Sequence, residues 1–286
     1  MSIAPSFVTP LRYPGGKGRL GFWIGNLLAH NNIESGCYIE PYAGGAGAAF
    51  YLLKEKKVNQ VIINDADPAI YAFWWSVLND TERLIKLIND TEVTMESWER
   101  AREVLFSNET PDLTLLGFAT FFLNRTNRSG IIKGGVIGGK SQTGKFKLDA
   151  RFNKPNLIER IRQISSARDH ISVCNLDAKA FIIETASLEP KNTLFYLDPP
   201  YFNKSDKLYR NHYKYADHQE IATLAQSLST PWMVTYDNCT EITELYDQSQ
   251  CVEFSFHYST HNSRPIAKEL MFYGNLAIPS TPQMRR

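Results

Sequence analysis

The chain has 286 residues, 43% of them hydrophobic, and a formal net charge of +1. This length suits one large domain or one domain with a substantial insert, and the composition excludes a disordered chain. No apolar run approaches the ~20 residues of a membrane span, and the N-terminus lacks the pattern of a signal peptide. Scattered single cysteines favour a reducing compartment and no zinc site: Cys37, Cys174, Cys239 and Cys251. We therefore expect a cytoplasmic protein with no membrane partner.

Two strand–helix units follow one another early in the chain. "CYIEP" (37–41) predicts a strand, and "GAGAAFYLLKEK" (45–56) predicts the helix after it. "QVIIND" (60–65) and "PAIYAFWWSVL" (68–78) repeat the pattern. This alternation is typical of a parallel sheet with helices on both faces.

Residues 80–168 interrupt that alternation. Helical patterns cover 80–107 and 112–123, and a glycine-rich basic stretch and a helix over 154–168 follow. Eleven Lys and Arg against two acids lie between 124 and 168, a net charge of +9, so the rest of the chain carries −8. A charge run is usually a solvated helix face, but here the glycines and the scarcity of acids favour a phosphate-binding face. We interpret 80–168 as an insert into one α/β domain made of 1–79 and 169–286.

The alternation resumes after the insert. Strands are predicted at 171–173, 193–198 and 231–237, with a helix capped by Asp217 over 217–229. The segments "CVEFSFHYS" (251–259) and "KELMFYGN" (268–275) predict an antiparallel pair at the edge of the sheet.

A glycine-rich turn, "EPYAGGAGAAF", joins the first strand to the first helix. Gly44, Gly45 and Gly47 would let a ligand approach the backbone at the helix N-terminus. Asp65 ends the next strand about 20 residues further on, where nucleotide-binding α/β folds place the acid that binds ribose hydroxyls. The pattern indicates an adenosine-containing cofactor and leaves NAD and S-adenosylmethionine open. A second turn, "RYPGGKGRL", carries Lys17, which would either hold a carboxylate or lie solvated.

The stretch "YLDPPYF" (196–202) ends a buried strand on an acid, two prolines and two aromatic residues. The prolines stiffen the turn and leave their carbonyl oxygens free, while Tyr201 offers a flat face. Asp198 and these carbonyls could bond the N–H groups of a planar amine out of the base plane, which favours attack on a methyl group. A base inside a duplex would have to be flipped out to reach such a pocket.

An ordered set of motifs resembles the Dam-like, D12 class DNA adenine-N6 methyltransferases over most of the chain. In chain order the motifs are "LRYPGGK", "IEPYAGGAGAAF", "NDADP", "LNRTNRSGI", "GKFKLDARFNKP", "NLDA", "YLDPPY" and "HYSTHNSRPIAKELMFY". The resemblance implies a Rossmann-like methyltransferase sheet, mostly parallel with an antiparallel edge strand. It further implies an inserted helical and hairpin DNA-recognition domain. S-adenosylmethionine is the implied cofactor and double-stranded DNA the implied partner, and a cognate restriction or defence protein is left open.

The resemblance also implies roles for individual residues. The catalytic motif is Asp198, Pro199, Pro200 and Tyr201. Cofactor contacts are Tyr13, Lys17, Tyr42, Ala43, Gly44, Gly45, Asp65, Asp177 and Asp198. DNA contacts are Arg12, Arg125, Arg128, Ser129, Ile131 and Lys133. Members specific for GATC carry an aromatic residue near the position of Arg128, whereas this stretch is basic and glycine-rich, so the recognition sequence stays open.

Other interpretations share some of these features. RNA adenine methyltransferases and N5-glutamine methyltransferases have related motifs, although the latter favour Asn at the position of Asp198, and N4-cytosine enzymes favour Ser. An NAD-dependent oxidoreductase or a non-catalytic nucleic-acid binder would leave the "DPPY" stretch without a role. His257 and His261 are four residues apart but lack the glutamate of a zinc-hydrolase motif, so no metal site is predicted.

Overall fold

The structure is a computed structural model that describes residues 9–13, 16–107, 111–188, 192–202, 213–257 and 266–283. It divides into two compact units. The sheet unit contains residues 17–66 and the described residues from 170 onward. The helical unit contains the described residues up to 16 together with those between 67 and 169.

Seven strands form the sheet of the sheet unit. They are β1 (Cys37–Glu40), β2 (Gln60–Asn64), β3 (Ile171–Cys174), β4 (Thr193–Leu197), β5 (Trp232–Asp237), β6 (Gln250–His257) and β7 (Ile266–Gly274), in the spatial order β3-β2-β1-β4-β5-β7-β6. Strands β1 to β5 pair in parallel, and β7 runs antiparallel to both β5 and β6. The predicted Rossmann-like, mostly parallel sheet is confirmed, with one refinement: the antiparallel strand β7 lies second from the edge, inside β6.

Ten α-helices lie in the described residues. They are α1 (Gly21–His30), α2 (Gly47–Lys54), α3 (Pro68–Asn79), α4 (Thr81–Asp90), α5 (Met95–Phe106), α6 (Leu113–Thr126), α7 (Lys154–Ser165), α8 (Ala178–Ser187), α9 (Tyr215–Ser227) and α10 (Thr240–Leu245). Helix α9 begins two residues before the predicted helix, so Asp217 lies in its first turn. There its carboxylate accepts a hydrogen bond from the N–H of Lys214 at 2.7 Å. None of these helices is long and apolar enough to cross a membrane.

The central strands are buried because helices cover both faces of the sheet. Strands β1 and β4 are buried at every position, as expected for parallel strands without a solvated face. Side chains of α8, α9 and α10 share one core cluster with Ile39 and Phe195. On the other face, the buried rings of Tyr38 and Tyr196 lie 6.3 Å apart. Since β1 to β5 are parallel, their carboxyl ends meet at one edge of the sheet, where ligands of such folds bind.

Helix α3 belongs to the helical unit, so the boundary between the units falls at residue 67 instead of the predicted residue 80. The reason is its packing against α6. The rings of Phe73 and Phe121 stack at 5.7 Å, and Gly117 lies so close to α3 that a Cβ there would be 2.6 Å from the carbonyl oxygen of Ala72. The assignment of 80–168 as the target-recognition insert stays a prediction.

The predicted recognition hairpin is irregular. Asn127 and Val136 form an isolated antiparallel bridge, flanked by the bonds Arg128 N–H to Gly135 O and Ile137 N–H to Thr126 O, both 2.9 Å. Residues 127–153 contain no longer strand, because turns and two short 3-10 helices, Arg128–Gly130 and Leu148–Arg151, occupy the segment.

Replacement of Gly117 by valine should destabilise the helical unit. Its side chain would collide with the backbone of α3, and overpacking of this kind costs about 1–3 kcal/mol. The measurement is urea unfolding. Gly135→Val is the matched control, because a Cβ at Gly135 meets nothing within 4 Å. Equal stabilities of the two variants would contradict the described packing of α3 on α6.

Candidate active site

Strand β4 delivers the "DPPY" residues to the carboxyl edge of the sheet. The strand ends at Leu197, and Asp198 follows with its side chain 21% exposed, while Pro199 and Pro200 are buried. Thr235 of β5 donates a hydrogen bond to Oδ1 of Asp198 at 2.8 Å. The hydroxyl of Tyr196 lies 2.9 Å from Oγ1 of Thr235 and donates to it, since Thr235 uses its own proton on Asp198. Asp198 is therefore oriented by its neighbouring strand.

The ammonium group of Lys17 lies against the "DPPY" segment. Its Nζ is 3.0 Å from Oδ1 and 3.1 Å from Oδ2 of Asp198, and it donates to the Tyr201 hydroxyl at 2.7 Å. The Lys17 side chain is 3% exposed, so it is not a solvated lysine. Its expected partner, a carboxylate, is present, but it belongs to the protein.

Tyr201 is held by both ends of its side chain. Its ring is buried in the core cluster of α8 to α10, and its hydroxyl donates a hydrogen bond to Oε1 of Glu269 on β7. Only 6% of the residue is exposed. The predicted stacking of this ring on a base would therefore require the ring to be uncovered.

Three acidic side chains lie near Lys17 among the described residues of this edge. Burial by itself lowers the pKa of Lys17, but the charges of Asp198 and Glu269 reverse this and hold the pKa above its ordinary value. Burial raises the pKa of Glu40 well above its ordinary value, and the charge of Asp198 adds to the rise. Tyr38 donates to Oε1 of Glu40 at 3.3 Å, while Oε2 is buried without a hydrogen-bond partner. Burial thus favours the neutral form of Glu40, while Lys17 and Asp198 form an ion pair.

The glycine-rich turn and its acid are brought together. The N–H of Gly44 donates to Oδ2 of Asp65 at 2.9 Å. Gly44 has φ 45° and Ala46, which precedes α2, has φ 46°, so the backbone turns through left-handed conformations between β1 and α2. Such a turn, with little side-chain bulk and an acid beside it, fits the adenosine part of a cofactor.

Asn64 ties together the loops that follow β1 and β3. This fully buried amide donates to Pro41 O at 3.1 Å and to Leu176 O at 3.0 Å, and accepts from Leu176 N–H at 2.9 Å. Ala43 N–H in turn donates to the backbone oxygen of Asn64 at 2.8 Å. Asn64 thus sets the shape of the predicted cofactor loop.

The remaining predicted cofactor residues have separate surroundings and do not form one hydrogen-bonded group. Tyr42 and Tyr213 share a hydroxyl–hydroxyl hydrogen bond of 3.0 Å. Asp177 is exposed and caps α8, accepting from Lys179 N–H at 2.9 Å. Ala43 and Gly45 are buried in the turn. Tyr13 belongs to the helical unit, and its role in cofactor binding stays a prediction.

Buried asparagines shape the predicted DNA-contacting region of the helical unit. Asn124 accepts from Arg12 N–H at 2.7 Å and donates to the carbonyls of Arg12 and Gly130 at 2.7 and 2.9 Å. Asn127 donates to the carbonyls of Ile131 and Ile132 at 3.0 and 2.8 Å. These amides hold the "NRTNRSGI" turn against residue 12.

Four arginines lie together in the helical unit. Arg125 donates through Nε and a terminal nitrogen to Arg151 O, and through the other terminal nitrogen to Pro10 O at 3.4 Å. Arg160 donates to Thr9 O at 3.1 Å, and Arg12 to Asn127 O at 3.2 Å. Burial, with the charges of Arg12, Arg160 and Arg151, lowers the pKa of Arg125 to about 9. Among the described residues, no carboxylate balances this arginine cluster.

Other basic residues of the helical unit have different surroundings. Arg128 is exposed and its Nε donates to Val136 O at 3.3 Å, and Lys133 is exposed at the same turn. Ser129 has φ 57°, and Ile131 is half-buried. Lys154 donates to the carbonyls of Asn89 and Thr91, both at 2.7 Å.

Sequence reasoning missed Asn64, Thr235 and Glu269. Asn64 lies within the quoted "NDADP" motif, directly before its acid, and could have been found there. Thr235 and Glu269 are on strands, where single polar residues carry no local signal of their partners. No group of three or more His, Cys, Asp or Glu in the described ranges could hold a metal ion, and His261 lies outside those ranges.

The strand order, the glycine-rich turn after β1 and the "DPPY" turn after β4 define an S-adenosylmethionine-dependent methyltransferase. The family model described as "D12 class N6 adenine-specific DNA methyltransferase" matches residues 13–263, and the chain belongs to this family. The chain is 26% identical over 208 residues to the type II methyltransferase M.MjaIII of Methanocaldococcus jannaschii, covering 67% of this chain and 68% of that protein.

Two solved structures are similar to this chain, both with low scores. The rRNA methyltransferase aviRa from Streptomyces viridochromogenes has a TM-score of 0.35 and 14% identity, over 95% of this chain and 87% of that one. Protein LPL1258 from Legionella pneumophila has a TM-score of 0.33 and 13% identity, over 96% and 87%. Likenesses at these scores carry no argument about substrate.

The family establishes the reaction. The protein uses S-adenosylmethionine to methylate the exocyclic N6 of adenine in DNA. An RNA methyltransferase, an oxidoreductase and a non-catalytic binder, which the sequence had left open, are not supported by this membership.

Replacement of Asn64 by alanine should weaken both the fold and the binding of S-adenosylmethionine. The variant loses three hydrogen bonds of about 1 kcal/mol each, and the loops after β1 and β3 lose their link. Urea unfolding and titration calorimetry measure the two effects. Asn238→Ala, at an exposed amide after β5, is the control. Cofactor affinity equal to that of the wild type would refute the role of Asn64 in shaping the loop.

Proposed function

We propose that Asp198, Pro199, Pro200 and Tyr201 form the catalytic site for adenine methylation. The observation that carries the proposal is the Asp198 carboxylate, oriented by Lys17 and Thr235 at the carboxyl end of β4. The N6 lone pair of adenine is delocalised into the ring and becomes nucleophilic only as the nitrogen turns tetrahedral. Acceptors placed out of the base plane stabilise that geometry, and Asp198 with the proline carbonyls supplies them.

The same edge of the sheet would hold S-adenosylmethionine, which supplies the methyl group from its sulfonium. Asp65 is suited to the ribose hydroxyls, and the turn of Tyr42, Ala43, Gly44 and Gly45 is suited to close approach of the ligand. Asp177 and Tyr13 complete the set that the family resemblance implies.

The substrate we propose is double-stranded DNA, with the target adenine flipped out of the helix because its N6 is otherwise within the base pair. The arginine cluster of Arg12, Arg125, Arg151 and Arg160 supports this, since clustered cations without a balancing acid among the described residues favour a phosphate backbone. Arg128, Ser129, Ile131 and Lys133 occupy the turn that we propose reads base edges.

A restriction or defence partner remains a hypothesis. Four free cysteines support the proposed cytoplasmic location.

Replacement of Asp198 by alanine should abolish methyl transfer and leave the protein folded. Groups that position and polarise a substrate in this way contribute about 10²–10³ in rate. Asp198→Asn should lose less, because the amide oxygen still accepts a hydrogen bond. The assay transfers labelled methyl groups to adenine-containing duplexes. Activity of the alanine variant close to that of the wild type would remove Asp198 from the catalytic site.

Replacement of Arg160 by glutamine should weaken binding to every duplex alike and reduce the slope of log affinity against log salt concentration by about one unit. Arg128→Ala should instead reduce the difference in binding free energy between methylatable and scrambled duplexes, since a base contact contributes about 1–3 kcal/mol to that difference. Binding titrations at several salt concentrations separate the two effects.

Arg100→Gln is the control for these titrations, because Arg100 is exposed on α5 and paired with Glu96. An unchanged salt slope for Arg160→Gln would show that the arginine cluster serves the fold and not the DNA.

A further inference from the structure

Glu269 on β7 is a buried carboxylate to which neither the motifs nor the resemblance gives a role. Its side chain is 1% exposed. Oε1 accepts the hydrogen bond of the Tyr201 hydroxyl, and Oε2 lies 3.5 Å from Nζ of Lys17. Oε2 has no hydrogen-bond partner, although it is buried. A carboxylate in such surroundings is costly for the fold, so its presence calls for a function.

Two carboxylates of the described residues share the ammonium group of Lys17. Asp198 has the closer contact, through both of its oxygens, and Glu269 has the longer one. Burial raises the pKa of Glu269 to about 7, with the charge of Asp198 adding to the rise and Lys17 and Tyr201 opposing it.

The groups around Glu269 come from several elements. Lys17 begins the short 3-10 helix before α1, while Asp198, Tyr201 and Tyr196 come from β4 and the segment after it. On the neighbouring strands, Asp237 of β5 and Phe254 of β6 pair with Glu269 in register. Lys17 is the cation among these described groups.

The hydrogen bonds suit the ionised form of Glu269. Lys17 donates to the oxygen of Tyr201, and the hydroxyl proton of Tyr201 is then directed to Glu269. If Glu269 were protonated, its own hydroxyl would compete for the Tyr201 oxygen, and Lys17 would be shared less evenly between the two acids. Asp198 would then be bound more tightly by Lys17 and would be a weaker acceptor for another N–H group.

We propose that Glu269 is a positioning residue for methyl transfer: its carboxylate holds Lys17 and the Tyr201 hydroxyl so that Asp198 stays directed at the adenine amino group. The inference rests on the proposed catalytic role of Asp198. Glu269 itself touches neither adenine nor cofactor in this proposal, and it acts through Lys17 and Tyr201.

The test measures single-turnover methylation of an adenine-containing duplex between about pH 6 and 9. The wild-type rate should rise with pH around the pKa of Glu269, because the ionised form is the productive one. Glu269→Gln keeps the size of the side chain and an acceptor oxygen but cannot ionise, so the rise in rate with pH should disappear. At high pH the rate of the Glu269→Gln variant should be about 10-fold to 100-fold lower than that of the wild type, as for other small misplacements of reacting groups. The Glu269→Asp variant should be slower than the wild type, but its rate should still rise with pH because Asp can ionise.

Glu253→Gln is the matched control, because Glu253 lies exposed on the paired strand β6 and its variant should keep the wild-type profile. The affinity of Glu269→Gln for S-adenosylmethionine, measured by calorimetry, should equal that of the wild type, since the expected loss is in kcat. A Glu269→Gln protein that keeps the wild-type step, even with a lowered melting temperature, would overturn the inference. An active Asp198→Ala protein would instead overturn the proposed catalytic site, so the two failures are distinguishable.

Discussion

The ion cluster of Lys17, Asp198 and Glu269 is the constraint on which the candidate active site depends. A buried ammonium group costs several kcal/mol unless opposite charges compensate it. Here the compensation comes from the turn after β4 and from β7, two parts of the chain about 70 residues apart, brought together by the order of the sheet. Because β7 pairs with β5, and β5 with β4, the direction of Asp198 follows from the pairing of three strands.

The cofactor loop depends on a second buried polar group. Loops at the edge of a parallel sheet contain backbone N–H and C=O groups that need partners once they are covered. The Asn64 side chain supplies partners for the loops after β1 and β3 at once. Asp65 then bonds Gly44, so the residue suited to ribose also anchors the turn beside it. The acid proposed to bind ribose therefore also shapes the loop.

The arginine cluster is the main charge feature of the described helical unit. Arg12, Arg125, Arg151 and Arg160 lie together without a balancing acid among the described residues. Such a cluster is costly for the protein alone and favourable with a polyanion, which agrees with the proposed contact to DNA.

The sequence by itself determined the fold class, the seven strands to within about two residues, the family and the candidate motifs. It did so because parallel strands, glycine turns and a "DPPY" stretch are local patterns whose chemistry depends on neighbouring residues. The irregular form of the predicted hairpin was not readable, because Asn124 and Asn127 shape it through contacts with residue 12 and with the turn itself. The placement of α3 with α6 likewise depended on Gly117, whose neighbour is 45 residues away in sequence. Only the tertiary structure showed that Lys17 is buried and that Glu269 competes for it. The partners of a buried charge, and therefore the free-energy cost of its burial, depend on which strands pair and not on the residues beside it in the chain.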